Sequence, residues 1–202
     1  MSLPVYLVDD DDAVREAITL LLRTVGLQVR SFASPDLFLA SLATLAPGCL
    51  ILDIRMPVMS GLKLQQSLRD RGVTWPTVII SGHGDIEACR RAFRNGAIDF
   101  LSKPVDEEDL IDAIRKGHDA LERDSQSASE TAEARELMSR LTAREAEVLD
   151  MIARGLTTRQ ISEALGLSVR TVDSHRAALA AKLGTTSTAE QTRFWLDAGG
   201  SR

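Results

Sequence analysis

Through residue 123 the chain repeats one pattern five times: a short β-rich apolar run, a polar turn, then a helical period. The runs are VYLV (5–8), QVRSF (28–32), CLILD (49–53), TVIIS (77–81) and IDFL (98–101). After the first, Val14, Ile18, Leu21, Leu22 and Val25 recur at helical spacing and Gly26 closes the stretch. After the second, Ser34 and Pro35 form an N-cap and first-turn pair for a helix through about Leu45. LKLQQSLRDRG, DIEACRRAFRNG and DEEDLIDAIRKGHDALER follow the remaining three. Consecutive βα units need crossover connections, which predicts a doubly wound α/β fold: a parallel five-stranded sheet with helices on both faces. Near-continuous apolar strands such as CLILD fit, because strands of such a sheet are buried on both sides.

The pattern then changes. Residues 124–136, DSQSASETAEARE, carry no large apolar side chain and read as a linker, either a flexible tether or a polar extension of the preceding helix. From 137 to 202 no strand pattern occurs. Instead TAREAEVLDMIARG, TTRQISEALG, SVRTVDSHRAALAAKLG and STAEQTRFWLDAG each open on Thr or Ser, as N-caps do, and predict an all-α four-helix domain. Within it, TTRQISEALG, the turn LSVR and TVDSHRAALAAKLG form a helix-turn-helix pattern. In such a unit the first helix braces while the second enters the DNA major groove.

Charge separates the two segments. The net charge is -5, but residues 1–123 hold 14 Lys and Arg against 18 Asp and Glu, whereas 138–202 hold 9 against 7. A modestly basic patch in an acidic chain permits contact with nucleic acid. No run approaches the ~18 apolar residues of a membrane span. MSLPVYLVDD lacks the basic region and apolar core of a secretory leader, so a cytoplasmic protein without membrane attachment is expected. Cys49 and Cys89 form no CxxC and are expected as reduced thiols, not a disulfide or metal pair.

The strand ends carry the chemistry. Open parallel sheets bind ligands beyond the carboxyl ends of their strands, where the strand order reverses. Here the first strand delivers Asp9 and Asp10, the third Asp53, the fourth Ser81, and the fifth leads to Lys103-Pro104. Clustered carboxylates repel one another unless a cation intervenes. Mg²⁺ suits the cluster, since it takes oxygen ligands, needs only one or two carboxylates and completes its shell with water or phosphate. With charge masked, one carboxylate can attack phosphorus and form an acyl phosphate. Asp53 is the expected nucleophile, with Lys103 and the Ser81 hydroxyl directed at phosphate oxygens.

The set Asp9, Asp10, Asp53, Ser81, Phe100 and Lys103-Pro104, within residues 3–121, resembles the receiver domain of bacterial two-component response regulators. That resemblance implies the flavodoxin-like strand order 2-1-3-4-5. It implies that Asp53 accepts a phosphoryl group from a phosphohistidine of a sensor histidine kinase. Mg²⁺ (or Mn²⁺) would be held by Asp10, Asp53 and the Arg55 carbonyl, and by Asp9 mainly through water. Ser81 and Phe100 would act as the switch pair, and the Lys103-Pro104 bond would be cis. Ser81 stands where threonine is commoner and retains the hydroxyl; Phe100 stands where many relatives carry tyrosine. Arg55 and His83 occupy positions that influence the phosphoryl group's lifetime.

In the second segment Ser168 is the expected N-cap of the groove helix, with Val172, Leu179 and Leu183 turned inward beside His175. LTAREAEVL and SVRTVDSHRAALAAKL, within about 137–200, resemble the DNA-binding domain of NarL/FixJ/LuxR regulators, so the whole chain resembles a FixJ-type response regulator. Geometry and resemblance together direct Arg170, Asp173, Ser174 and Ala177 at base edges, and Thr171, Arg176 and Lys182 at phosphates. Asp173 stands where many relatives carry lysine.

These readings give a receiver at 1–123, a linker at 124–136 and a helix-turn-helix domain at 137–202. Phosphorylation is expected to promote a homodimer through the fourth helix and fifth strand, near Arg90, Arg91, Arg94 and Asp99. The dimer would bind double-stranded promoter DNA, with RNA polymerase as a partner if it activates. Enzymatic turnover is not expected: dehalogenase-like phosphatases, which also form an aspartyl phosphate, need a second Asp where Arg55 stands. A receiver that serves only as a dimerisation module is the remaining alternative. Of the four consecutive aspartates, Asp9 and Asp10 are expected in the pocket, Asp12 as the cap of the helix from about Ala13, and Asp11 near that helix's positive end.

Overall fold

The computed structural model describes residues 3–82 and 86–200. Two compact units divide the chain, Met1–Arg123 and Asp124–Arg202. In the first, β1 (Val5–Val8), β2 (Val29–Phe32), β3 (Cys49–Asp53), β4 (Thr77–Ser81) and β5 (Ala97–Ser102) form a parallel sheet in the order β2-β1-β3-β4-β5. Helices α1 (Asp12–Thr24), α2 (Pro35–Ser41), α3 (Gly61–Asp70) and α4 (Ile86–Arg94) alternate with the strands, and α5 (Glu107–Ser139) follows β5.

Side chains alternate across a strand, so the sheet divides the core in two. Tyr6, Val8, Leu50 and Leu52 pack with Phe38, Leu64 and Leu68 on one face. Val5, Leu7, Cys49 and Ile51 pack with Ile18, Leu22, Leu110 and Ile114 on the other. Both cysteines are free, and burial pushes the Cys49 thiol up to about 12, which leaves it an inert core group. The second helix is shorter than expected: Ser34 caps it as read, but it ends at Ser41 and Leu42–Thr44 tightens into a 3-10 turn.

In the second unit α6 (Ala143–Ala153), α7 (Thr158–Leu165), α8 (Val169–Leu183) and α9 (Thr188–Asp197) surround Val148, Leu149, Ile152, Ile161, Val172, Leu179, Leu183 and Trp195. Thr142 with Glu145, and Thr157 with Gln160, close reciprocal capping boxes at α6 and α7. Residues 124–136 are helical within α5. Ala, Glu, Gln and Arg favour helix, the stretch holds neither Gly nor Pro, and Gln126 donates to Glu130 one turn on at 3.1 Å. No described helix is long and apolar enough to cross a membrane.

Candidate functional site

Strand register assembles the site. Val8 lies beside Leu52, so the next residues, Asp9 and Asp53, leave the sheet as neighbours. Asp53 lies beside Ile80, one residue before Ser81, and Ser81 lies beside Ser102, one before Lys103. The Lys103 N–H donates to the Ser81 carbonyl at 2.7 Å, and the Lys103-Pro104 bond is cis. All four residues therefore sit at the carboxyl edge, next to the β1/β3 reversal.

Asp9 is fully buried and Asp53 nearly so. Lys103 Nζ donates to Asp9 Oδ2 and to Asp53 Oδ1, each at 2.7 Å, so one ammonium serves two carboxylates. Burial raises the Asp53 pKa; the bonds from Lys103 and the Arg55 backbone oppose that rise, and the charge of Asp9 adds to it. Burial works against the charge on Lys103 too, but its bonds to Asp53 and Asp9 outweigh it and raise its pKa. Ser81 is buried and Phe100 half-buried against the core cluster around Leu52. Asp10 and Arg55 are exposed. His83 lies outside the described residues.

Two supporting residues escaped the sequence reading. Arg15, with only 16% of its side chain exposed, donates Nη1 to the Asp9 carbonyl at 2.8 Å and pairs with Asp12 through Nη2. Its i+3 spacing from Asp12 was the available signal. Gly61 opens α3 where a Cβ would run into the Asp53 carbonyl, and its N–H donates to the Ile54 carbonyl at 3.1 Å. Only glycine lets α3 start so close behind the acid.

The cap assignment is corrected by one residue. Asp11, not Asp12, caps α1, its carboxylate accepting from Ala13 N at 2.9 Å and Val14 N at 3.2 Å. Asp9 Oδ1 accepts the Asp11 N–H at 2.9 Å, which turns the chain early enough for Asp12 to be the first helical residue.

The pocket's donor set suits a hard divalent cation. Asp9 and Asp53 already converge on one positive charge, the ammonium of Lys103. Among the described residues no three His, Cys, Asp or Glu side chains are grouped to hold a metal, but Mg²⁺ needs only one or two carboxylates.

In the second unit, α7, the left-handed Gly166 (φ 64°) and Ser168 lead into α8. Ser168 Oγ accepts the Thr171 N–H at 3.0 Å and contacts its hydroxyl at 2.8 Å, so capping engages both side chains. Arg170, Asp173, Ser174 and Ala177 are exposed along one side of α8, opposite Val172, Leu179 and Leu183. Thr171, His175 and Arg176 are half-buried on its flanks. Lys182 departs from expectation. Instead of presenting a free ammonium, it donates to buried Glu145 at 2.6 Å and to the Arg140 carbonyl at 3.2 Å. The bond from Lys182, then that from the Thr142 backbone, holds the Glu145 pKa below the usual carboxylate value.

Comparison with known proteins agrees with both halves. Residues 5–115 match the response regulator receiver domain, and residues 139–195 match the bacterial regulatory proteins of the luxR family. The chain is 41% identical over 189 residues to the response regulator protein TmoT of Ectopseudomonas mendocina, covering 94% of this chain and 86% of TmoT. It is 37% identical over 198 residues to the transcriptional regulatory protein FixJ of Azorhizobium caulinodans, covering 98% and 94%. The solved structure of response regulator StyR superposes with a TM-score of 0.79 at 39% identity, covering 95% of this chain and 98% of that one.

Proposed function

The chain belongs to the response regulators that join a receiver to a LuxR-type DNA-binding domain, and from that premise we propose that Asp53 is its phosphoryl acceptor. One observation carries the assignment: register brings Asp53, Asp9, Ser81 and Lys103 to one strand edge, with Lys103 Nζ 2.7 Å from Asp53.

Receiver domains generally use Mg²⁺. Here Asp53, Asp10 and the Arg55 carbonyl would hold it, with Asp9 behind through water, and the ion would offset the carboxylates' repulsion. Asp53 attacks phosphorus from a phosphohistidine of a sensor kinase, and the histidine leaves as the P–N bond breaks. Lys103 turns its ammonium from the carboxylates to the new phosphoryl oxygens, and the Ser81 hydroxyl donates to another. The phosphoryl group acts through its differential interaction with two arrangements of Ser81 and Phe100.

The readout is a homodimer on double-stranded promoter DNA. In support, α4 presents Ile86, Arg90 and Phe93 in one outward row, with Ile86 77% and Phe93 48% exposed. Arg170, Asp173, Ser174 and Ala177 would read bases, while Thr171 and Arg176 flank the phosphates. Lys182 drops out of the phosphate set because its ammonium is engaged by Glu145. RNA polymerase would be a further partner if the bound dimer activates.

Labelling with acetyl phosphate and Mg²⁺, followed by a gel shift, tests this. Asp53→Asn should take up no phosphate and should lose the phosphodonor-dependent gain in DNA binding. Wild-type labelling of Asp53→Asn would show that the acceptor is elsewhere.

A further inference from the structure

The exposed side of α8 holds an acid that the fold does not use. Asp173 has Arg170 three residues before it and Arg176 three residues after it. That spacing pairs opposite charges on a helix. Elsewhere in the unit Glu136, Glu147, Asp150 and Glu163 each hold an arginine three or four residues away, at 2.6 to 3.3 Å. Asp173 pairs with neither neighbour, and its carboxylate accepts no hydrogen bond among the described residues.

Phosphates repel a carboxylate carried to DNA, and desolvating it there is offset only by a hydrogen-bond donor. The bases offer two in the major groove: the N4 amine of cytosine and the N6 amine of adenine. Beside the adenine amine lies the N7 acceptor, which opposes the second carboxylate oxygen. Cytosine carries no acceptor there.

Ser174 is the second observation. Its Oγ donates to the Arg170 carbonyl at 3.0 Å, one turn back. With its proton so placed, the hydroxyl offers only lone pairs outward. Two successive positions on this side of α8 are therefore acceptors, and Ala177 adds no polar group. Arg170, unpaired among the described residues, supplies donors one turn before Ser174.

We propose that Asp173 and Ser174 read base amines. Asp173 accepts from cytosine N4, and Ser174 accepts from the N4 or N6 amine of an adjacent base pair. Asp173 also rejects guanine and thymine, whose acceptors would face its carboxylate. Arg170 fits guanine O6 and N7 to one side. This deepens the DNA-binding reading and rests on α8 entering the major groove.

Selection of random duplexes by the full chain with acetyl phosphate and Mg²⁺, then titration of single-base variants of the selected half-site, tests it. Wild type should prefer cytosine to guanine at one position by about tenfold, the scale of one mismatched pair. Asp173→Ala should erase that preference at that position alone and bind the guanine variant more tightly than wild type does. Asp173→Asn should move the preference to adenine, whose N6 and N7 an amide bonds together. Ser174→Ala should relax the neighbouring position by about fivefold, as loss of one hydrogen bond gives. Both positions are exposed, so the variants keep the fold. Wild-type preferences in either alanine variant, or uniform tightening of Asp173→Ala on every sequence, overturn the amine assignment while DNA binding through α8 stands. If wild type selects no sequence, base reading by α8 fails and the assignment falls with it.

Discussion

Both units bury a carboxylate and bring a lysine to it: Lys103 to Asp53 at 2.7 Å, and Lys182 to Glu145 at 2.6 Å. The surroundings differ. Lys103 is shared by two buried acids, so the receiver pocket keeps surplus negative charge at a strand edge, where a cation and a phosphoryl group can act on it. Glu145 shares Lys182 with no second acid and also accepts the Thr142 N–H at 2.7 Å, inside a capping box. A buried lysine–carboxylate pair therefore says little about function alone. Surplus charge suits a reactive site, and matched donors and acceptors suit a structural one.

Exchanging each lysine for methionine gives the largest expected contrast. Lys103→Met should lower acetyl phosphate labelling by roughly 100-fold, the usual scale for losing one preorganised donor. Lys182→Met should leave labelling unchanged and destabilise the second unit by about 1–2 kcal/mol, less than for a fully buried pair because solvent screens part of it. Denaturant unfolding followed through Trp195 reports on that unit. If Lys182→Met spares stability but weakens DNA binding at every sequence, the lysine is the phosphate contact its helical position suggested.

Proton linkage separates the pairs by sign. Asp53 has a raised folded pKa, so its contribution to stability is present below the unfolded carboxylate value and is lost as pH rises through the folded one. Glu145 has a lowered folded pKa, so its contribution is present above the unfolded value and is lost as pH falls through the folded one. Across the acidic carboxylate range the two should tilt stability in opposite directions. Asp53→Asn should remove a negative slope and Glu145→Gln a positive one in unfolding free energy against pH. Slopes of the same sign would mean that burial does not dominate at Asp53.

The contrast also explains what the sequence could disclose. Five strand runs fell within a residue or two of their places, and their register then left Asp9, Asp53, Ser81 and Lys103 little freedom. Lys182 was illegible for the opposite reason: helical period set its backbone position, but its long side chain reaches Glu145, 37 residues away. Asp11 and Asp12 are equivalent cap candidates by residue type, and helical spacing alone favoured Asp12. Asp9 chooses, by accepting the Asp11 N–H. Asp11→Ala should accordingly cost about 1 kcal/mol, as lost caps do. Asp12→Ala, which removes the exposed side of an i,i+3 pair with Arg15, should cost at most about 0.5 kcal/mol. Thermal unfolding with these values reversed would restore Asp12 as the cap.

The smallest expected effect concerns backbone conformation. In the second unit every described residue at positive φ is glycine, namely Gly155, Gly166, Gly184 and Gly199. The receiver breaks that rule at Val58 (φ 66°), in the loop between Asp53 and α3, with 94% of the residue exposed. A left-handed conformation costs a side-chain-bearing residue about 1–2 kcal/mol, and a β-branched one is the worst case. The Val58 side chain is exposed, and the bond that closes the turn across it, Met59 N–H to the Pro57 carbonyl at 2.7 Å, is backbone only, so Val58→Gly should keep that bond and relieve the strain. Greater freedom of glycine in the unfolded chain opposes that gain by about 0.5–1 kcal/mol, leaving a net stabilisation near 0.5 kcal/mol. Unfolding of the receiver measures it. A loss of stability would mean that the loop leaves the left-handed region once valine is gone, and that Val58 itself holds the turn behind Asp53.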